Sequence, residues 1–475
     1  MQPPQTYDEV LAAILNIPMF GTTGIAAMNY SLDRMHRWSR RLGHPERSVP
    51  TIHVAGTNGK GTTCRMLASI YNEAGYKTAL YTSPHLNDLR ERIRLQNKLI
   101  PKDAIVTFYR EHYDALQLDP PTVFELLTLL AFWYFANEQA EIAIIETGLG
   151  GRLDATNIVT PQCTIITSIG YDHKDILGDT LEEIAAEKAG IIKHGVPLIL
   201  GQIPPEARSI IFQRADAMHV RVVEPMSSTQ EAGVADPGVA DPGVADPDIS
   251  EPDVTEAGQK QEARLPHAKQ LSRVGQDPCE EHRENLQNPH PAIHLRPPTD
   301  LINQTIAKNT VHTLQTTFPV PNTALHKGLS HWHEHLRPHA NFEPLGPPPY
   351  TWFFSGAHNP QAWEDLTTHL KTIAPAHEWT IILSLMADKI TPSIQPLFEP
   401  FDNLYLYAMN NERAATPDIL QQTLPWGTII QEPSEIPALR QQKERSGLVI
   451  FTGSLYFYTT VERWVQTIQT TVFRG

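Results

Sequence analysis

Short aliphatic and β-branched runs alternate with longer amphipathic stretches through residues 1–223. Strands are predicted at Thr51–Ala55, Thr78–Tyr81, Ile142–Glu146, Cys163–Ser168 and Pro197–Leu200. Helices are predicted between them, as at Thr62–Ala74 and Phe124–Asn137. This alternation predicts an α/β fold with a mostly parallel sheet and helical crossovers. Several strands run straight into polar, Gly-rich or His-bearing turns, and in open α/β sheets ligands bind at that carboxyl edge.

The pattern collapses over 224–299. Gly233–Pro247 is GVADP three times over, followed by a stretch rich in Pro, Gln, Asp, Glu and His. Proline at every fifth position forbids a helix or a central strand, so a disordered acidic, Pro-rich insert is expected. Alternation resumes with a helix at Ile302–Leu314. After a Pro- and His-rich stretch, strands are predicted at Trp352–Ser355, Thr380–Leu385, Asn403–Ala408, Thr428–Gln431 and Leu448–Thr452, with a closing helix at Tyr456–Thr470. The expected organisation is a first domain over 1–223, the insert over 224–299, the end of the first domain and a linker over 300–344, and a second α/β domain over 345–475.

The 475 residues carry 38 Lys+Arg against 53 Asp+Glu, a formal charge of −15, which argues against nucleic-acid binding. Ten acids and two bases lie between Glu224 and Arg264, so more than half of that charge sits in the insert and not in either predicted domain. Cys64, Cys163 and Cys279 make neither a disulfide framework nor a Cys-x-x-Cys zinc site. No apolar run reaches the roughly 18 residues of a membrane span, and MQPPQTYDEV lacks the regions of a signal peptide. A cytoplasmic protein with no membrane or nucleic-acid partner is expected.

Thr51–Thr63, TIHVAGTNGKGTT, is the most informative segment. A strand enters a glycine-rich turn bearing Lys60 and a helix follows at once, which aims backbone N–H groups and a positive charge at an anion. It departs from the strict G-x-x-x-x-G-K-[ST] pattern because Gly61 follows the lysine. The alternative is an ordinary strand–helix turn. Glu146 ends an apolar strand beside TGLGGRLDATN (147–157) and is placed to serve Mg²⁺, which takes one or two carboxylates and fills its octahedron with phosphate oxygens and water. Asp172-His173 lies just past another strand, as a further ligand or a loop pair. Ser83-Pro84-His85 offers a hydroxyl or a plain turn, and Lys188 alone reads as a surface lysine. HWHEHLRPH (331–339) lacks a recognised metal spacing and reads as solvated.

Together these residues resemble the folylpolyglutamate synthase/dihydrofolate synthase family, a branch of the Mur-type ATP-dependent amide ligases. The resemblance rests on HVAGTNGKGTT (53–63), YTSPHL (81–86), ERI (91–93), TVFELLT (122–128), ETGLGGRLDATN (146–157), DH (172–173), LGDT (177–180) and EKAGII (187–192). It is thinner downstream, through SGAHNP (355–360), ADK (387–389), ERA (412–414) and TGSLYF (452–457). It implies a P-loop-like ATP-binding domain, a smaller Rossmann-like glutamate-ligase domain, and a site in the cleft between them. It also implies a reaction in which ATP phosphorylates a pteroyl carboxylate and the amine of L-glutamate displaces phosphate. The substrates are then dihydropteroate or folates, L-glutamate and ATP, and a monomer is expected.

By the resemblance, Gly56, Thr57, Asn58, Gly59, Lys60, Gly61 and Thr62 hold the nucleotide, with Asn303, Ser355 and His358. Ser83, Glu146 and His173 hold Mg²⁺, and Lys188 is carbamylated, turning a cation into an anion that supports the metal. Thr122, Phe124, Arg152, Leu153, Asp154 and Ala155 contact the pteroyl group. Catalysis falls to Lys60, Glu146, His173 and Lys188. Three positions depart from the family pattern: Asp300 where Gln is usual, Asn341 where an Arg helps hold phosphate (with Arg337 nearby), and Ser355 where Asp is usual. They keep two alternatives open, a relative that binds nucleotide or folate without ligating and a sister ligase for other substrates.

Overall fold

The computed structural model describes residues 2–17, 31–225, 299–335, 342–345, 352–373, 375–436 and 448–472. Nearly all of the insert (226–298) lies outside them, as do Arg337, Asn341 and Cys279. The larger sheet has eight strands: β1 (Thr51–Ala55), β2 (Thr78–Tyr81), β3 (Ile93–Leu95), β4 (Lys98–Leu99), β5 (Ile142–Glu146), β6 (Cys163–Ser168), β7 (Leu198–Gln202) and β8 (Val222–Val223), in the order β4-β3-β2-β5-β1-β6-β7-β8. The run from β2 to β8 is parallel, while β3 and β4 add an antiparallel edge. The carboxyl ends of β2, β5, β1 and β6 therefore lie side by side, and every residue of these four strands is buried.

Helices cover both faces. Helix α1 (Lys60–Glu73) leaves β1 through the glycine turn, starting two residues earlier than predicted because Gly59, at φ +82°, makes the bend by itself. Helix α2 (Val123–Asn137) opens with a Thr122–Glu125 capping box and is apolar nearly all round, as its burial on one face of the sheet requires. Helix α3 (Leu181–Ala189) opens with a Thr180–Glu183 box. On the other face α1 packs with α4 (Thr299–Thr313) and α5 (Asn322–His335), which share a core of Leu67, Ile70, Tyr71, Ile306, Val311, Leu329 and Trp332. The α1 and α5 backbones cross closely: a Cβ on Gly328 would lie 2.5 Å from Ile70 Cα.

Helix α5 corrects the reading of His331–His339 as solvated over its first five residues, and residues 336–339 lie outside the described ones. The helix runs to His335, and Trp332 is 2% exposed against the larger sheet's core. Burial of an aromatic of this size makes its truncation cost on the order of 3–5 kcal/mol.

The second sheet comprises β9 (Glu343–Pro344), β10 (Trp352–Ser355), β11 (Trp379–Ser384), β12 (Asn403–Tyr407), β13 (Thr428–Ile430) and β14 (Leu448–Gly453), in the order β13-β12-β11-β14-β10-β9. Only β9 runs antiparallel. Helices α6 (Pro360–Ile373) and α7 (Tyr458–Val472) belong to this half, which has its own cores on the two faces of the sheet. Strand limits agree with the sequence reading to within two residues, and the expected two-sheet α/β architecture is what the chain adopts. Among the described residues no helix is long and apolar enough to cross a membrane.

Candidate active site

The turn after β1 requires glycine twice. A Cβ on Gly56 would lie 1.9 Å from Thr167 Oγ1, and one on Gly59 would lie 2.5 Å from Asn303 Oδ1. The turn is tied to β6 by Thr57 N–H to Ser168 O (2.9 Å), by Asn58 N–H to Ser168 Oγ (2.9 Å) and by Thr167 Oγ1 to Asn58 O (2.6 Å). Thr57 Oγ1 donates to Gly170 O at 3.1 Å and accepts from its N–H at 3.0 Å. These bonds fix the loop and leave the first N–H groups of α1, at Lys60, Gly61 and Thr62, without intrahelical acceptors. Lys60 Nζ lies over the loop, donating to Gly56 O (2.9 Å) and Thr57 O (3.1 Å). The result is an anion cradle at a helix N-terminus.

Glu146 ends β5 beside this loop and is 3% exposed. Burial raises its carboxyl, while Lys60, Arg65 and the Ser83 N–H, which donates to Glu146 Oε2 at 3.0 Å, pull it back down. Gly61 is the nearest part of α1: a Cβ there would stand 3.5 Å from both Glu146 oxygens and 2.7 Å from Arg65 Nη1. The missing side chain keeps the space beside the carboxylate clear. Burial lowers the His173 imidazole to about 4, with nearby Asp172 opposing the shift, so near neutral pH the ring carries a lone pair for a metal. Carboxylate, hydroxyl and neutral imidazole side chains at one sheet edge, beside a phosphate cradle, fit Mg²⁺ with phosphate oxygens and water completing its octahedron. Among the described residues no three His, Cys, Asp or Glu side chains gather into a metal cluster of their own.

Lys188, on α3, is 3% exposed, which overturns its reading as a surface lysine. Its Nζ donates to Gly56 O at 3.0 Å, the carbonyl that Lys60 also uses. Burial and the Lys60 charge lower its amine to about 7, with Asp172, Asp154 and Glu187 opposing.

Beyond β5, Phe124 closes over the chain: a Cβ on Gly148 would lie 2.5 Å from its Cζ. Thr122 is the N-cap of α2, and Ala155 is buried. Arg152 forks onto Glu187 Oε1 at 3.0 and 2.7 Å, with Leu153 half-buried after it. Asp154 turns inward, accepting from Gly148 N–H (2.8 Å), Leu149 N–H (3.0 Å), Thr156 N–H (3.0 Å) and Thr156 Oγ1 (2.5 Å).

The second sheet reaches the same edge. Asn359 and Asn58 exchange amide hydrogen bonds at 2.9 and 3.3 Å. Asp172 is ion-paired with Lys389 and lies 3.6 Å from His358 Nε2. Burial by itself would raise that carboxyl, but His358, His173 and Lys389 together hold it well below the usual carboxylate range. Ser355 is buried at the end of β10, and Asp300 and Asn303 are buried on α4, with Asn303 Oδ1 accepting from Thr63 Oγ1 at 3.3 Å.

Residues 54–201 match the Mur ligase middle domain. The Bacillus subtilis dihydrofolate synthase/folylpolyglutamate synthase is 31% identical over 449 residues, covering 91% of this chain and 94% of that protein. The chain belongs to the dihydrofolate synthase/folylpolyglutamate synthase family. The folylpolyglutamate synthase of Lacticaseibacillus casei is 30% identical over 96% of this chain and 98% of that protein. A solved structure of Escherichia coli FolC in complex with DHPP and ADP superposes with a TM-score of 0.73 at 27% identity, covering 99% of this chain and all of that one.

Within this family member the structure adds residues that the sequence reading gave no role. Arg65 stands one turn along α1 from Gly61, a spacing legible in the sequence. Arg92 donates to His85 Nδ1 at 2.8 Å and acts electrostatically on Glu146. Lys389 lies more than two hundred residues from its partner Asp172, and only the fold unites them.

Proposed function

We propose that this chain joins L-glutamate to dihydropteroate, to folates, or to both, in an ATP-dependent reaction through an acyl phosphate. The observation that carries the reading is the meeting at one sheet edge of the Gly56–Thr62 cradle, Lys60, Glu146 and His173, faced by His358, Asn359 and Lys389 of the second sheet. A pteroyl carboxylate oxygen attacks the γ-phosphorus of ATP and ADP departs. The glutamate amine then attacks the acyl carbon, loses a proton, and phosphate leaves with the C–O bond. A free carboxylate is a poor electrophile, and the phosphoryl group supplies the leaving group it lacks. Such a transfer depends on positioning and charge neutralisation, which fall to the first-turn N–H groups of α1 and to Lys60.

Mg²⁺, if bound, would supply charge neutralisation for the phosphoryl transfer. Ser83, Glu146 and His173 are the side chains assigned to hold it, and Asn303, Ser355 and His358 complete the nucleotide site. Phe124 supplies a flat face for the pteroyl group, with Thr122 and the turn Arg152–Ala155 as its wall, Asp154 setting the shape of that turn. A Lys188 amine near neutrality is nucleophilic enough to attack CO₂, forming an N–C bond with loss of a proton. A ¹³C carbamate resonance after equilibration with ¹³CO₂, absent in Lys188→Met, tests this.

The two described cysteines are free and buried, as suits the cytoplasm. We assign the protein there as a monomer acting on small molecules.

The decisive assay is steady-state release of ADP by the purified chain, with dihydropteroate or tetrahydrofolate as acceptor. Release that needs both acceptor and L-glutamate is expected. ATP binding without turnover on either acceptor refutes ligation to these acceptors and favours the binding-only alternative, which Ser355 and Asp300 motivate, or a sister ligase for other substrates.

A further inference from the structure

His53 sits in the middle of β1, completely buried, between Ile52 and Val54, which pack in the core shared with α1. Its Nε2 lies 2.8 Å from Thr156 Oγ1, and Thr156 Oγ1 lies 2.5 Å from Asp154 Oδ1. The other oxygen of Asp154 accepts the N–H groups of Gly148 and Leu149, and Gly148 packs against Phe124. An unbroken chain of hydrogen bonds thus runs from the central strand to the wall assigned to the pteroyl group.

The direction of the chain follows from its orphaned end. His53 Nδ1 has no hydrogen-bond partner among the described residues. A buried donor without a partner costs more than a buried lone pair without one, so the proton belongs on Nε2. Nε2–H then donates to Thr156 Oγ1, and the hydroxyl has its own proton to give to Asp154. The ring is neutral, since burial lowers it to about 3. Asp154 thereby receives four donors, which oppose the rise that burial imposes on its carboxyl.

We propose that His53 is a positioning residue for the pteroyl acceptor, acting through Thr156 and Asp154 on the Gly148–Leu149 turn and Phe124. This rests on the ligase reading above. The nucleotide cradle takes its shape from β6 and, among the described residues, shares no hydrogen bond with this chain, so the two substrates are affected separately.

The test compares His53→Leu, His53→Gln, Thr156→Val and the double variant His53→Leu/Thr156→Val in the full chain. KM is measured for dihydropteroate, tetrahydrofolate and ATP, with thermal melting alongside. His53→Leu and Thr156→Val should each raise the acceptor KM on the order of tenfold and leave the ATP KM within about twofold. His53→Gln, which keeps an N–H donor at similar reach, should recover most of the loss. The double variant should be no worse than either single one, because each already breaks the same chain.

Unchanged acceptor KM in folded His53→Leu overturns the proposal, as does an equal rise in both KM values or an additive double variant. Should His53→Leu not fold, Thr156→Val, whose shape matches the native residue, decides by the same criterion. A wild-type chain without turnover refutes the ligase reading instead, and so separates the two failures.

Discussion

Gly61→Ala separates folding from chemistry at a single carbon atom. Gly61 occupies the second position of α1 with no left-handed backbone, so alanine fits the helix without strain. Its propensity favours alanine by up to about 1 kcal/mol. The new methyl would meet Arg65 Nη1 at 2.7 Å, the mobile end of a long side chain that can swing aside. It would also stand 3.5 Å from both oxygens of Glu146, in the space between that carboxylate and the phosphate cradle. A Mg²⁺ ion held by Glu146 would need about 2.1 Å to a carboxylate oxygen and room for its other ligands, so the methyl would crowd it. Losing one charge-assisted contact of this kind costs about 1.5–3 kcal/mol, or roughly 10- to 150-fold. The expected result is a kcat/KM for ATP lowered by that factor, in a protein whose melting temperature is unchanged or slightly raised. Full activity with unchanged stability would refute the reading that Glu146 and the cradle together serve metal and phosphate. Lost activity with a large fall in melting temperature would refute the claim that the methyl is tolerated.

Two further substitutions probe the charges at the same edge. Lys188 has its amine lowered to about 7, so its burial cost is fully present below that pH and fades as the pH rises toward the free-lysine value. In CO₂-free buffer, Lys188→Met should therefore be more stable than wild type below pH 7, by on the order of 5 kcal/mol at most, with the gap closing by about pH 10. A urea-unfolding series against pH checks this, and a gap that widens with pH contradicts it. Lys389→Met removes the ion-pair partner of the nearly buried Asp172. Melting should show a loss of at most about 3–5 kcal/mol, and limited proteolysis should show a second half cut more readily. Stability equal to wild type would mean that this ion pair does not bind the halves together.

Much of this was legible because the signals are local. β1, β2, β5, β6 and β10 have the predicted limits, since each is a β-branched or aromatic run stopped by glycine, proline or a polar turn. The phosphate cradle was legible for the same reason: strand, glycines, lysine and helix are contiguous. Helix α5 was not, because its histidines hide a periodic stripe of Ala324, Leu325, Gly328, Leu329 and Trp332. The β3–β4 hairpin escaped because its strands are short and Arg- or Lys-bearing, with the turn signalled only by Gln96-Asn97 in left-handed conformation. Lys188 shows a different limit. Its burial depends on which face of α3 meets the sheet, and the nearby Ala185, Ala186 and Ala189 gave no sign of that. The Asp172–Lys389 pair and the His53–Thr156–Asp154 chain join residues distant in sequence, and only tertiary structure creates them.

The close crossing of α1 and α5 bears on biosynthesis. The apolar flank of α1 is covered by Ile306, Val311, Leu329 and Trp332, all encoded after the long acidic insert. A nascent chain that has emerged only as far as the insert already contains the cradle and all eight strands of the larger sheet, but the helix behind the cradle has one side bare. Until about 110 more residues have left the ribosome, at roughly 5–20 residues per second, that flank remains open to chaperones or to other chains. The GVADP repeats lengthen this interval.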